Sequence, residues 1–286
     1  MQQHHPPATI LKSLAVVSAS VLMLLSGSTP CFSGAWTAAK TELYDRLSVN
    51  CYHADEYFND DGDRYPYPRN GKFRDWNLGN YLEYGVNDRF TLINSLYYKA
   101  IVKEDDLRKE ETHSLGDIDL GMKWKALEGR AGVLSAQGMV KIPDFYDEDA
   151  PLPVGNGQYD LEARLLYGRS LYPLIPGYYN VECGYRWRFE DPSDELRYLI
   201  EFGVDFTESF YGRIKLDGIF SLDNGEHRDL VGNPTTTNNF DLGKLDMALG
   251  YMVAKTWGLE IGYTPALYGK NTSRGATWTA AIQFRL

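Results

Sequence analysis

From Asp117 to Trp124 the sequence alternates strictly between polar or small residues and apolar residues. The odd positions carry Asp, Asp, Gly and Lys, and the even positions carry Ile, Leu, Met and Trp. Because successive side chains of a β-strand point to opposite faces, this pattern predicts a strand with one polar and one apolar face. Similar segments recur along the chain, so the sequence predicts an all-β fold.

Two architectures share this alternation. In a soluble sandwich the polar face meets water and the apolar face meets a partner sheet, whereas in a transmembrane barrel the polar face lines a lumen and the apolar face meets lipid. The alternation alone does not distinguish them. The N-terminus and the lengths of the connections do.

The N-terminus has the layout of a secretory signal peptide. Lys12 precedes the apolar run 13–25, and Ser, Gly and Pro follow it. This run is shorter than the roughly 20 apolar residues of a transmembrane helix, which argues against an uncleaved anchor. Small residues place the cleavage site just before Gly34 or just before Trp36. We therefore assign residues 1–35 to the signal peptide and residues 36–286 to the barrel.

Composition agrees with export to a bacterial envelope. The chain has 21 Tyr and 27 Gly but only 13 Pro, a usage that suits twisted strands and aromatic girdles. Its net charge of −10 argues against a nucleic-acid partner, which would require concentrated Lys and Arg. After the signal peptide no apolar run is long enough for a membrane helix, so a helical membrane protein is excluded.

The segments predict an antiparallel transmembrane barrel of about twelve strands between Thr41 and Leu286. Short turns alternate with long polar connections such as Lys103 to Ser114 and Asp223 to Asn239. Short periplasmic turns and long outer loops are typical of outer-membrane barrels, and they place both termini in the periplasm.

Four residues test the predicted register. Asp45 has the parity of the lipid face, so we expect it near a membrane interface, and Pro265 should lie near the outer rim or at a bulge. Cys51 and Cys183 fall on opposite walls of the predicted barrel, too far apart for a disulfide.

The opposite parity collects acids and bases in nearly equal numbers. We expect them to pair inside a narrow lumen, either as a structural core that closes it or as a polar path for a small solute. Arg186 and Arg188 are predicted at the same height as Asp117 and Asp119, where opposite charges could bridge the lumen. The candidates that line the lumen are Asp117, Asp119, Lys123, Arg164, Arg186, Arg188, Glu201, Arg213, Asp246 and Glu260.

Catalytic and metal-binding patterns are sparse. The mature chain keeps only His53, His113 and His227, all at predicted strand ends or loops. The stretch 59–63 resembles part of a calcium loop but lacks the distal Glu of that motif, so a solvated acidic loop is the better interpretation. We predict no metal, no cofactor and no enzymatic activity.

A family resemblance adds to this interpretation. The strand 116–124, the segment Val140-Lys141-Ile142-Pro143, the turn segment 155–161 and the opening Gly34-Ala35-Trp36-Thr37 resemble the outer-membrane barrel family named for the meta-pathway of phenol degradation, which includes XagA-like proteins. The resemblance implies an outer-membrane protein that takes up small solutes, aromatic molecules among them. Its motifs are strand and turn patterns, so it assigns no site residue.

The sequence thus predicts an outer-membrane channel or transporter for small solutes. The alternatives are a structural barrel with a salt-bridged, closed lumen and a lipid-modifying enzyme. The expected partners are outer-membrane lipid and lipopolysaccharide, the outer-membrane assembly machinery and a small-molecule solute. Phe284 and the terminal Leu286 form an imperfect version of the usual assembly signal.

Overall fold

The structure is a computed structural model that describes residues 34–143, 145–225 and 237–286. The predicted signal peptide up to Ser33, and His227, lie outside the described residues. Within the described part, no helix is both long enough and apolar enough to cross a membrane.

The described chain consists of strands and their connections, with one short 3-10 turn at Pro68–Asn70. The strands are β1 Leu43–Phe58, β2 Arg64–Pro66, β3 Lys72–Asn87, β4 Phe90–Glu104, β5 Lys109–Gly129, β6 Gly132–Ile142, β7 Asp160–Ser170, β8 Gly177–Arg188, β9 Glu195–Asp205, β10 Phe210–Ser221, β11 Asp241–Ala254, β12 Trp257–Lys270 and β13 Thr272–Arg285.

The long strands close into a barrel. Each pairs antiparallel with its neighbour in the chain, and β13 pairs with β1 in a register that sets Leu47 opposite Ile282. The short β2 pairs only with the last residues of β1. The predicted all-β, antiparallel barrel of twelve strands is therefore confirmed.

The two ends of the barrel differ. Both chain termini lie at one end, here called the terminal end, where Leu43 and Leu286 exchange backbone hydrogen bonds of 2.8 and 2.9 Å. Its connections are short turns such as 130–131 and 255–256. The opposite end, here called the far end, carries longer connections such as 59–71 and 145–159.

One predicted loop is a pair of strands. Lys103 to Ser114 was expected to be a long polar connection, but β4 runs to Glu104 and β5 starts at Lys109, so only 105–108 remain as a turn. The ladder continues because polar side chains on both faces of a hairpin are tolerated in water. The polar residues therefore correctly predicted the solvated part of the hairpin, but the prediction treated strand residues on both sides of the turn as a loop.

The two faces of the barrel are opposite in polarity to those of a soluble protein. Outward side chains are large and apolar, and Ile261 and Trp278 are 64% and 65% exposed. Inward side chains are charged yet buried, and Lys123 and Glu162 are only 1% and 2% exposed. This is the arrangement of a barrel surrounded by lipid.

The structure shows where each of the four register-test residues lies. Pro265 forms the last β12–β13 pair, and the β11–β12 register shifts between Ala266 and Tyr268, so Pro265 lies next to a bulge. Asp45 lies near the terminal end, where its Oδ1 accepts a 2.6 Å hydrogen bond from Asn80 Nδ2. Cys51 on β1 and Cys183 on β8 are free thiols.

Tyr and Gly residues meet on the outward face of the barrel near the far end, where the 43%-exposed Phe220 stacks on the rings of Tyr198 and Tyr268. A Cβ atom on Gly218 would lie 2.2 Å from the ring of Tyr198, and one on Gly243 would lie 2.1 Å from the ring of Tyr268. The two hydroxyls are hydrogen-bonded to each other. Each ring thus covers an outward glycine on a neighbouring strand, which restores packing where glycine has no side chain.

Candidate functional site

The lumen contains two networks of ion pairs. The first, here called the Glu162 cluster, is centred on Glu162 of β7. Its oxygens lie 2.6 Å from Arg164, 2.9 Å from Arg186 and 3.3 Å from Arg197. One carboxylate thus binds three guanidinium groups on three consecutive strands, β7 to β9.

Neighbouring acids extend the Glu162 cluster. Asp160 lies 3.0 Å from Lys141, 3.6 Å from Arg186 and 3.7 Å from Arg188, while Glu195 lies 3.2 Å from Arg188. Near the terminal end Glu182 lies 2.6 Å from Arg164. The cluster therefore ties β6 to β9 together along the inner wall.

The second network, here called the Glu260 cluster, is centred on Glu260 of β12. Glu260 Oε1 lies 2.7 Å from Arg46 of β1 and 3.3 Å from Arg213 of β10. Arg213 also approaches Asp246 at 3.5 Å and Glu201 at 4.0 Å. This cluster links β9 to β12 and, through Arg46, crosses the closure of the barrel.

The N-terminal residues 34–40, here called the N-terminal plug, lie inside the barrel at the terminal end. The Ala35 N–H donates to Asn180 Oδ1 at 3.1 Å, and the Ala38 N–H donates to Thr91 Oγ1 at 2.9 Å. Lys123 Nζ donates to the Trp36 carbonyl oxygen at 3.1 Å. The plug therefore reaches inward side chains from β4 to β8.

The wall is shaped to fit the plug. Ala35 is fully buried against Val133 and Leu166, with the Trp36 ring beside them. A Cβ atom on Gly85 would lie 1.8 Å from the Ala39 carbonyl oxygen, so only glycine at that position lets the plug backbone approach.

The far end is covered by residues 145–159 of the connection between β6 and β7, here called the β6–β7 loop. Leu152 and Val154 are 1% and 0% exposed and pack with Phe73 and Ile101. Lys99 Nζ donates to the Val154 carbonyl oxygen at 2.9 Å. The loop thus places an apolar core over a polar lumen.

Tyr146 joins this loop to the Glu162 cluster. Its hydroxyl donates to Asp117 Oδ1 at 2.6 Å and accepts a 2.9 Å hydrogen bond from the Gly157 N–H. Burial and the neighbouring Asp117 carboxylate raise the pKa of Tyr146, so the phenol stays protonated as a donor. Asp117 also lies 3.7 Å from Lys141.

The predicted lumen residues divide between these structures. Arg164, Arg186 and Arg188 belong to the Glu162 cluster, and Glu201, Arg213, Asp246 and Glu260 to the Glu260 cluster. Lys123 holds the N-terminal plug and lies 3.3 Å from Glu83. Asp119 has no ion pair within 4.0 Å among the described residues.

The arginines of β8 do not pair as the sequence suggested. Arg186 and Arg188 bind acids on β7 and β9, not Asp117 or Asp119 on β5. Two strands separate β5 from β8, so the acids of adjacent strands are nearer. Asp117 joins the same network indirectly, because Lys141 lies between it and Asp160.

Sequence reasoning missed several functional groups. Glu195 was overlooked because β9 starts one residue earlier than expected, although its parity matches that of Arg197. The sequences of the plug and of the β6–β7 loop do not alternate between polar and apolar residues, so they gave no pattern from which to predict these segments. Only the lack of charge from Gly34 to Ala39 distinguishes the plug in the sequence.

Catalytic and metal-binding groups do not converge in the described part of the chain. No cluster of three His, Cys, Asp or Glu residues could hold a metal there. The half-exposed His113 lies 2.7 Å from Glu111. Asn59 Oδ1 accepts hydrogen bonds from the N–H groups of Asp61 and Asp63, so the acidic stretch 59–63 is a turn closed by Asn59.

Sequence comparison finds no matching protein-family model and no matching curated protein, so the resemblance to the phenol meta-pathway family is not confirmed. The fold is similar to that of the COG4313 outer membrane channel from Pseudomonas putida F1, with a TM-score of 0.73 and 12% identity over 90% of this chain and 100% of that one. The translocator domain of the autotransporter NalP from Neisseria meningitidis gives a TM-score of 0.50 and 14% identity over 97% of this chain and 95% of that one. The NanC porin gives 0.51 and 7% over 84% of this chain and 100% of that one. At these identities the likeness establishes the fold: an antiparallel barrel of the outer-membrane type.

Proposed function

We propose that this protein is a bacterial outer-membrane channel for small solutes, and that the conformation described here is its closed state. One observation carries the proposal: a closed barrel with a charged interior has a segment of its own chain over each end. The N-terminal plug covers the terminal end and the β6–β7 loop covers the far end.

The outward face supports a place in the membrane. Large apolar side chains such as Trp76 and Leu78 are 56% and 59% exposed, and water alone would not favour them. The short turns of the terminal end suggest that it faces the periplasm. The expected partners are outer-membrane lipid, lipopolysaccharide and the assembly machinery.

The plug also bears on signal-peptide cleavage. Of the two candidate sites, cleavage before Gly34 keeps Ala35, which is fully buried in the barrel. Cleavage before Trp36 would remove Ala35 and its hydrogen bond to Asn180. We therefore propose Gly34 as the first residue of the mature chain.

The N-terminal plug is the better candidate for a movable element. It is held by a few hydrogen bonds and by the side chains of Ala35 and Trp36, whereas the β6–β7 loop has a larger apolar core. Short segments with few buried apolar contacts open at a low free-energy cost. The paired charges behind the plug predict a small conductance with weak ion selectivity.

Planar-bilayer conductance tests the proposal. The full chain should conduct rarely and weakly, and a variant lacking residues 34–40 should conduct more often, although the β6–β7 loop still covers the far end. Lys40→Gln is a matched control, because it changes only an exposed residue of the plug. A deletion variant that inserts as a folded barrel yet never conducts would overturn the proposal.

The alternative is a structural barrel without transport. The Glu162 cluster favours it, because ion pairs that tie four neighbouring strands together would serve a permanently filled core. On this alternative the deletion of residues 34–40 would lower thermal stability without producing conductance.

A further inference from the structure

The far end contains a cavity of about 200 Å³ beside the tips of β3 and β4. The rings of Tyr67 and Phe73, which are 9% and 3% exposed, belong to the apolar core there and form its floor. Pro68 and Gly71 contribute to its wall. The cavity thus has an apolar base large enough for one small ring.

Its rim is cationic, although the chain as a whole carries a net charge of −10. The lining contains four basic residues, Arg69, Lys72, Lys103 and Arg108, and two acidic residues, Glu104 and Asp105. Arg69 lies 2.8 Å from Asp105, Arg108 lies 3.2 Å from Glu110, and Glu104 pairs with Arg74, which leaves Lys72 and Lys103 as the lining cations without an ion pair among the described residues. Within the described part of the chain, the Lys103 ammonium has no ion pair within 4.0 Å, although Glu110 lies opposite Lys103 in the β4–β5 ladder and attracts it.

Among the basic lining residues, Lys103 pairs directly with a residue of the cavity floor. It lies directly opposite Phe73 in the β3–β4 ladder, with both side chains on the inward parity. An ammonium and an aromatic ring therefore approach the same cavity from adjacent strands. This pairing suits a ligand that carries a negative charge on an apolar body.

The loop over the cavity is held in an unfavourable conformation. Arg69 and Asn70 have φ values of 55° and 52°, in the left-handed region that disfavours residues other than glycine. The Asp106 N–H donates to the Arg69 carbonyl oxygen at 3.1 Å, and Asn70 Nδ2 donates to Asp106 Oδ2 at 2.9 Å. Backbone strain of this kind concentrates at ligand sites.

We propose that this cavity binds a small monocyclic carboxylate at the outer mouth of the barrel. The ring would rest on Tyr67 and Phe73, and the carboxylate would accept hydrogen bonds from Lys103, with Lys72 at the same rim. A cavity of about 150 Å³ accommodates benzene, so the present one has room for a ring and a carboxylate. The site rests on the proposed function, because it would collect the solute before passage.

Calorimetric titration of the full chain in detergent tests the site without any need for transport. The probes are benzoate, cyclohexanecarboxylate, benzyl alcohol and inorganic phosphate. Both carboxylates should bind, whereas the uncharged alcohol and the phosphate should bind at least about tenfold more weakly. Equal binding of phosphate would overturn the proposal in favour of a phosphate site, and no binding of either carboxylate would overturn it outright.

Paired variants locate the site. Lys103→Gln should weaken benzoate binding by about tenfold or more, because it removes the charged donor. Arg64→Gln removes a cation elsewhere at the far end, over the Phe58 ring and outside the cavity lining, and should leave binding unchanged. Equal losses in both variants would mean that only the overall charge of the rim matters. Conductance without benzoate binding would reject this site and leave the channel proposal intact. Benzoate binding without conductance would support the site and reject the channel proposal.

Discussion

The ammonium group of Lys123 donates a hydrogen bond to the carbonyl oxygen of Trp36 at 3.1 Å and thereby ties the N-terminal plug to the barrel wall. The same Nζ atom lies 3.3 Å from Glu83, whose side chain is 3% exposed. One buried cation thus serves both the wall and the plug.

Lys123→Gln should therefore loosen the plug and destabilise the barrel. Removing one partner of a buried ion pair leaves the other charge uncompensated and costs about 3 kcal/mol or more. We expect a lower midpoint of thermal unfolding in detergent together with a higher conductance. Lys125→Gln is the control on the same strand, because Lys125 pairs with the 56%-exposed Glu128. A destabilised variant with unchanged conductance would contradict the role of Lys123 in holding the plug.

The Glu162 cluster should set ion selectivity once the plug is removed. In the variant lacking residues 34–40, Glu162→Gln should shift selectivity towards anions and Arg186→Gln towards cations, because each removes one sign of charge from a confined path. The reversal potential in a salt gradient measures both shifts. Shifts in the same direction would show that ions do not pass this cluster.

Ile261→Arg should distinguish a membrane barrel from a soluble one. Ile261 is 64% exposed on the outward face of β12, and an arginine on the lipid face costs about 2–4 kcal/mol near the bilayer midplane. Unfolding and refolding in lipid vesicles should show this loss. Leu107→Arg, at a 75%-exposed site in the β4–β5 turn, should change stability by less than about 0.5 kcal/mol. Two equally neutral substitutions would place the β12 face in water.

Asp194 should make the β8–β9 connection sensitive to acid. Burial alone would raise the pKa of the Asp194 carboxyl. Hydrogen bonds from the Arg188 N–H, the Tyr185 hydroxyl and Asn224 lower this pKa by more than burial raises it, so the pKa lies below its ordinary value. The stabilisation is therefore complete above about pH 4 and is lost as the pH falls through the lowered pKa.

Hydrogen exchange of the Arg188 amide, corrected for the intrinsic exchange rate, measures this loss. Protection should fall below about pH 4 in the wild-type chain. Asp194→Asn keeps one oxygen acceptor but cannot titrate, so its protection should not depend on pH over the same range. A pH-dependent loss of protection in Asp194→Asn would assign the effect to another group.

The sequence by itself determined the barrel. The strand 117–124 has a fixed period of two, and a shift by one residue would exchange every outward Leu or Trp with an inward charge, so the register follows directly from the pattern. The sequence also predicted that acids and bases share the lumen. The sequence did not reveal which acids and bases pair. The partners of Arg186 and Arg188 depend on which strands are adjacent and on which acids lie at the same height along the barrel axis.

Only the tertiary structure decided how the lumen is closed. The N-terminal plug and the β6–β7 loop have no periodic pattern, and their positions depend on contacts with side chains distant in the sequence, such as Ala35 with Asn180 and Val154 with Lys99. Local propensity cannot encode such contacts, because they exist only after the strands have closed into a barrel and formed the inner surface to which these segments bind.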